Sequence, residues 1–231
     1  MTEIADSLPS SPTGHALLEL VAVMDRLRSP GGCPWDAEQT HESLVEYLIE
    51  ETYETIEAID ANDDAAMKEE LGDLLLQVVF HSRIGEEAQM PWNIDDVANG
   101  ITQKLISRHD YVFGDAAVAD SAESERSWQL KKAAEKGRTS VTDGVPMAMP
   151  SLVLAAKLLR RAQRGGVHVE PVSAQRREHA ERELANTADQ REFGEQLFAL
   201  VAAGESRGFD ADASLREAIR DFRDRVIADE D

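Results

Sequence analysis

Apolar residues recur every three or four positions along most of this chain, and no stretch alternates in the two-residue rhythm of a strand, so helices are the elements to expect. Leu17, Leu20, Val21, Met24 and Leu27 mark a first helix over His15 to Leu27, stopped by Ser29-Pro30-Gly31-Gly32-Cys33-Pro34. A second runs from near Thr40 to about Ala61, with Leu44, Val45, Leu48, Ile49, Thr52, Ile56 and Ile59 as its inner face. Asn62-Asp63-Asp64 then breaks and recaps the chain, since either Asp can accept from the free amides of a third helix, Ala65 to Glu87. A fourth follows Pro91, from Ile94 to Arg108.

Asp110 to Arg126 is acidic, small and weakly periodic, which predicts a long loop before a helix through Trp128 and Lys132. After a break over Thr139 to Pro150, the spacing of Leu152, Ala155, Leu158 and Leu159 predicts another helix, ended by Arg164-Gly165-Gly166. Two or three highly charged helices fill Ser173 to Ala228. The economical fold is all-α with short connections.

The third helix changes the picture. On a helical wheel Leu71, Leu74, Leu75, Leu76, Val78, Val79 and Phe80 cover most of the circumference, leaving a stripe of Glu70, Asp73, Gln77 and His81. Such a helix is expected to be buried, and its carboxylates to be paired or to form a site. Glu70-x-x-Asp73 has a counterpart in Glu51-x-x-Glu54 on the preceding helix. Residues three apart share a helix face, so two facing helices converge four carboxylates. Their mutual repulsion asks for a cation, and a donor set of Asp and Glu without Cys or His fits a hard divalent ion such as Mg²⁺ rather than zinc.

Composition narrows the class. The 231 residues carry 45 Asp+Glu against 24 Lys+Arg, a formal net charge of −21, which argues against a nucleic-acid polymer or an anionic membrane as the main partner. A single cysteine, Cys33, excludes an intramolecular disulfide and fits a reducing compartment. Met1 to Gly14 is a polar, Ser/Pro-rich leader without the apolar core of a signal peptide, and no run is long enough to span a bilayer, so a cytoplasmic location is expected.

Lys104 and Arg108, four apart, stack on one face of the fourth helix, where they suit either phosphate oxygens or ion pairs with neighbouring acids. Trp35 suits either a cap on the core or a stacking platform for a base. His81 and His109 read as structural, and Cys33 as inert. There is also a faint internal repeat: Glu70-Leu-Gly-Asp73-Leu-Leu-Leu resembles Glu192-Phe-Gly-Glu195-Gln-Leu-Phe, with Glu178-x-x-Glu181 upstream of the second copy. The second copy is worn, because its acidic pairs lie closer in sequence and Asp221 stands where the first copy has Lys104.

Three stretches spell a family: Gly32-Cys-Pro-Trp-Asp-x-x-Gln-Thr-His41, Tyr47-Leu-x-Glu-Glu-x-x-Glu54, and Glu69-Glu-Leu-Gly-Asp-Leu-Leu-Leu-Gln-Val-Val-Phe-His81. Together with Lys104-Leu-x-x-Arg108-His109-x-x-Val112-Phe113-Gly114 and Trp128-x-x-x-Lys132, they closely resemble the MazG-type nucleoside triphosphate pyrophosphohydrolases over about Leu17 to Arg164. The resemblance implies an all-α fold of four-helix modules, a homodimer, and hydrolysis of a nucleoside triphosphate to monophosphate and pyrophosphate. It implies that Glu51, Glu54, Glu70 and Asp73 hold Mg²⁺, with Mn²⁺ as a substitute, and that the ion activates a water for attack at the α-phosphorus. Lys104, Arg108, Trp35 and Lys132 are the implied substrate contacts. The expected organisation is a leader over 1–14, a catalytic four-helix module over 15–138, a connecting segment over 139–172 and a degenerate helical repeat over 173–231.

Competing readings are a narrower dUTP or phosphoribosyl-ATP pyrophosphatase, or a helical regulatory module without catalysis. A ferritin-like carboxylate protein needs two Glu-x-x-His pairs, and only Glu38-x-x-His41 is present.

Overall fold

A computed structural model describes residues 14–135 and 137–230, so all of the expected leader except Gly14 lies outside the described residues. The described residues form eleven helices and no strand. The chain divides into two compact units, Met1–Ser124 and Glu125–Asp231. No helix among the described residues is long and apolar enough to cross a membrane.

The first unit holds α1 (His15–Arg28), α2 (Pro34–Glu38), α3 (Val45–Ala61), α4 (Asp64–Gly85), α5 (Ile94–Arg108) and α6 (Asp110–Phe113). Helix α7 (Ser121–Glu135) begins in it and continues into the second unit. Helix α4 is the hub, packed against α3, α1 and α5. Met24, Leu44, Val79, Phe80 and Ile84 make the buried core.

Local chemistry sets the boundaries. Asn62 ends α3 in the left-handed region at φ 53°, and Asp63 accepts from the amides of Ala65 and Ala66 at 3.0 Å to start α4, as the Asn-Asp-Asp break predicts. Asn93 and Asp96 form a reciprocal capping box at α5. Just before it, the Trp92 indole lies so close to Gly85 that a Cβ there would come within 2.4 Å of the ring, so only glycine lets the α4–α5 connection turn back. Arg28 ties three segments together: it forks onto both Glu87 oxygens at 2.9 Å and donates to the carbonyls of Asp36 and Gln39 at 2.5 and 3.0 Å. The hydrogen bond from Arg28 holds the Glu87 carboxyl below its ordinary pKa.

Three expectations change. Helix α3 starts at Val45 rather than near Thr40, because Thr40 and Ser43 exchange side-chain hydrogen bonds with each other's amides, a local alternative to the helical ladder. The predicted loop after Asp110 is interrupted by α6 and ends early, where Asp120 accepts from Glu123 N–H and the Glu123 carboxylate from Ala119 N–H. The third correction is larger. Of the stripe assigned as the inner face of α3, Leu44 is buried in the core, but Val45, Ile49, Ile56 and Ile59 are about half exposed in the single chain, and Thr55 and Ala58 are buried instead. Helix α4 is likewise not enclosed all round: Leu71, Leu75 and Val78 are exposed, while Gln77 of the polar stripe is buried.

The second unit, with α8 (Ser151–Arg164), α9 (Ala174–Leu184), α10 (Gln190–Glu205) and α11 (Ala211–Glu230), has its own core, where Leu154, Leu158 and Ala162 of α8 meet Ile219, Phe222 and Val226 of α11.

His81, on α4, stacks on His41 with ring centroids 5.1 Å apart and Nδ1 atoms at 2.8 Å, and His41 stacks in turn on Trp92. A short N···N contact needs one neutral imidazole, and burial, reinforced by His41, pushes the His81 pKa down. A lowered folded pKa means that the unfolded chain takes up the proton first, so this contribution is present above about pH 6.5 and is lost as pH falls through the folded value. The thermal midpoint should therefore drop between pH 7.5 and 5.5, with a smaller drop in His81→Asn, read by circular dichroism melts of both proteins.

Candidate metal centre

The hairpin of α3 and α4 aligns the two carboxylate pairs by counting alone. Glu54 and Glu70 each lie eight residues from Asn62, and Glu51 and Asp73 each lie eleven. At about 1.5 Å per residue, two antiparallel helices joined there bring Glu54 level with Glu70 at about 12 Å from the turn, and Glu51 level with Asp73 at about 16 Å. Glu51, Thr55 and Ala58 share the face of α3 that meets α4, and the small Thr55 and Ala58 side chains let the helices approach. Thr55 returns its hydroxyl to the Glu51 carbonyl at 2.8 Å, so it needs no partner from α4.

Carboxylate oxygens of Glu51, Glu70 and Asp73 lie within 4.8 Å of one another, and all three residues are half-buried. Glu54 is more exposed and near enough to Glu70 for its charge to act on it. Partial burial raises the Glu51 pKa, and among the charges Asp73 adds most; burial also raises Glu70, where Glu54 is the largest charge contribution. Both rises follow the level pairing of the hairpin. Carboxylates gathered on one hairpin, where burial and neighbouring acids raise the Glu51 and Glu70 pKa values, are a donor set suited to a hard divalent cation. Gln77, one turn beyond Asp73, is buried with its Oε1 accepting no hydrogen bond.

The implied substrate residues are distributed differently. Lys104 is exposed on α5, and Arg108 is buried at the C-terminal end of the same helix, where a cation also suits the helix dipole. Trp35 is half-exposed and meets Tyr47 and Phe80 edge-on, at centroid distances of 5.8 and 6.5 Å, so its inner edge braces the core while part of the ring stays open. Lys132 belongs to the second unit, its ammonium 4.6 Å from the centroid of the Trp128 ring. The acids of the second stretch are used locally: Glu192 accepts from Ala188 N–H and Glu195 pairs with Arg191. Among the described residues only Glu51, Glu70 and Asp73 form a cluster of metal-ligand geometry.

Fold and cluster together define an all-α protein with a candidate carboxylate metal centre on a helical hairpin. Residues 39–113, a span that contains the whole hairpin, match the MazG nucleotide pyrophosphohydrolase domain. The chain is similar to the nucleoside triphosphate pyrophosphohydrolase MazG of Thermotoga maritima, with 42% identity over 90% of this chain and 82% of the relative. It is also similar to nucleoside triphosphate pyrophosphohydrolases of Mycobacterium tuberculosis, 39% identical over 95% of this chain and 60% of the relative, and of Escherichia coli K12, 33% identical over 89% and 84%. The chain belongs to the MazG family of nucleotide pyrophosphohydrolases. It is an enzyme, a hydrolase.

The raised carboxyl pKa values carry a consequence for stability. Charge at Glu70 opposes folding when no cation is present, so Glu70→Gln, which keeps the shape and removes the charge, should raise the thermal midpoint of EDTA-treated protein at pH 8. An unchanged or lower midpoint by calorimetry would show that the carboxylates do not repel one another.

Proposed function

We propose that the protein hydrolyses nucleoside triphosphates to nucleoside monophosphates and pyrophosphate, using a divalent cation held by Glu51, Glu54, Glu70 and Asp73. Mg²⁺ is the first choice and Mn²⁺ the substitute, because the donors are all carboxylate oxygens. The observation that carries the reading is the convergence of Glu51, Glu70 and Asp73 on the hairpin shared with the family. When bound, the cation supplies a Lewis acid that lowers the pKa of a water and offsets phosphate charge. The carboxylates would fix its position, and its charge would offset their mutual repulsion.

The new bond forms between the water oxygen and the α-phosphorus. The bond from that phosphorus to the bridging oxygen breaks, pyrophosphate leaves, and the water's proton passes to solvent. Lys104 and Arg108 offset charge on the departing phosphates. Trp35 offers its open edge and face to the base. An acidic chain handles an anionic substrate in this way because the cation and a few basic residues reverse the local sign.

The same reading makes the protein a cytoplasmic homodimer, with catalysis in the N-terminal module and a worn C-terminal repeat that packs or regulates. Support for the dimer comes from the open apolar stripes Val45, Ile49, Ile56 on α3 and Leu71, Leu75, Val78 on α4, each at helical spacing. Gly72, between them on α4, has nothing within 4 Å of a Cβ built on it. A glycine inside a helix costs about 0.5–1 kcal/mol against alanine, a penalty that close approach of a second copy explains.

Incubation with a panel of nucleoside triphosphates and Mg²⁺ should release monophosphate and pyrophosphate, resolved by anion-exchange chromatography; orthophosphate with diphosphate left behind would overturn the reaction. In the same assay Asp73→Ala should lower kcat by more than about 100-fold while the helical spectrum persists. Leu75→Arg should convert a dimer to a monomer in sedimentation velocity, and a wild-type chain that sediments as a monomer would refute the assembly.

A further inference from the structure

The second unit contains a cavity of about 570 Å³, bordered by α7, α8, the segment around 138–141 and the end of α11. That volume is in the range of about 300–1,000 Å³ usual for small-molecule sites. Its lining is basic, in a chain of net charge −21: Arg138, Lys157, Arg160, Arg161 and Arg164 face a single carboxylate, Glu230, and Lys132 borders it as well.

Lys157, Arg160, Arg161 and Arg164 follow at i, i+3, i+4 and i+7, so they form one stripe of α8 beside the buried stripe of Leu154, Leu158 and Ala162. Like charges stacked in this way oppose helix formation. The helix dipole compensates cations in the last turn, which accounts for Arg161 and Arg164 but does not reach Lys157. Local pairing compensates only part of the rest. Arg161 donates to the carbonyls of Val141 and Asp143 at 3.1 and 2.7 Å, and Arg164 pairs with Glu125 at 2.5 Å. Among the described residues neither Lys157 nor Arg160 forms an ion pair, and the Lys157 ammonium meets only the Met149 sulfur at 3.8 Å.

Two further atoms of the lining are buried without hydrogen-bond partners, Arg138 Nε and Glu230 Oε2, although the other Glu230 oxygen accepts from Val141 N–H. Burial, reinforced by the nearby Arg138, pushes the Arg161 pKa below the ordinary guanidinium value. Glu230 lines the cavity, Glu125 pairs with Arg164, and Asp143 is near enough to act on Arg138 and Arg161, so the basic lining still outnumbers its acids and Lys157 and Arg160 have no carboxylate partner among the described residues. Leu130, Val141, Met149 and Val153 supply apolar wall.

We infer that this cavity binds a di- or triphosphate group, as inorganic pyrophosphate or as the phosphate tail of a nucleotide. Several cations around one open cavity suit clustered phosphate charge, and the strongly negative chain around them disfavours an extended nucleic-acid polymer. The site stands on the second unit alone and does not rest on the reading of the carboxylate cluster.

Isothermal titration of the full chain with inorganic pyrophosphate in EDTA tests it. One saturable site is expected, weakened about tenfold or more in Lys157→Ala and in Arg160→Glu and unchanged in Glu70→Gln. Arg160 is exposed, so its variant carries the test if Lys157→Ala loses its helical spectrum. A parallel titration with metal-free ATP separates the sources: tighter binding than pyrophosphate assigns the nucleotide, equal or weaker binding assigns the free anion. Absence of saturable binding, equal affinity in the α8 variants, or loss confined to Glu70→Gln would overturn the assignment.

Discussion

The two-residue connection Asn62-Asp63 holds α3 and α4 antiparallel in one register, and the candidate metal centre exists only in that register. A one-residue slip would rotate one helix by about 100° and carry its carboxylates off the shared face. The turn is secured by Asn62 in the left-handed region and by the Asp63 side chain on two amides. Thr55 and Ala58 then keep the approach close. Helix α4 transmits the same register outward, since α1 and α5 pack on its other sides.

Carboxylates in this fold meet two opposite environments. Glu87 receives the fork of Arg28, which pushes its pKa down and ties α1 and α2 to the turn that follows α4. Glu51 and Glu70 meet partial burial and other acids, which push theirs up. The first arrangement favours the folded chain at neutral pH and the second opposes it, so the cluster is retained at a cost in stability. Charge left uncompensated in this way is what a binding site for the opposite charge requires. The basic stripe of α8 shows the same imbalance with the sign reversed.

Much of the fold was legible because helix periodicity is a local property. The bounds of α5, Ile94–Arg108, and the three charged helices after Ser173 match the pattern. So does the stop of α8 at Arg164 before two glycines. The short α2 was hidden inside a Pro/Gly run that reads as a break, although Pro34 at its first position is a helix-starting signal. The level pairing of Glu54 with Glu70 and Glu51 with Asp73 was also present in the numbering, once the turn is centred on Asn62. Periodicity failed on direction. It located the apolar positions of α3 and α4 and placed Leu44, Val79 and Phe80 correctly inside, but it also assigned Val45, Ile49, Ile56, Leu71, Leu75 and Val78 to the interior of one chain, while Thr55, Ala58 and Gln77 lie there.

By itself the sequence determined the helices, the acidic pairs and the likeness to the MazG family, because caps, spacing and motif residues act over a few positions. Only the tertiary structure decided which faces meet, that Glu51, Glu70 and Asp73 converge within 4.8 Å, and that basic residues from α7, α8 and the 138–141 segment surround one cavity. These outcomes depend on which surfaces pack and what remains uncovered, and a helix face carries no record of its neighbour.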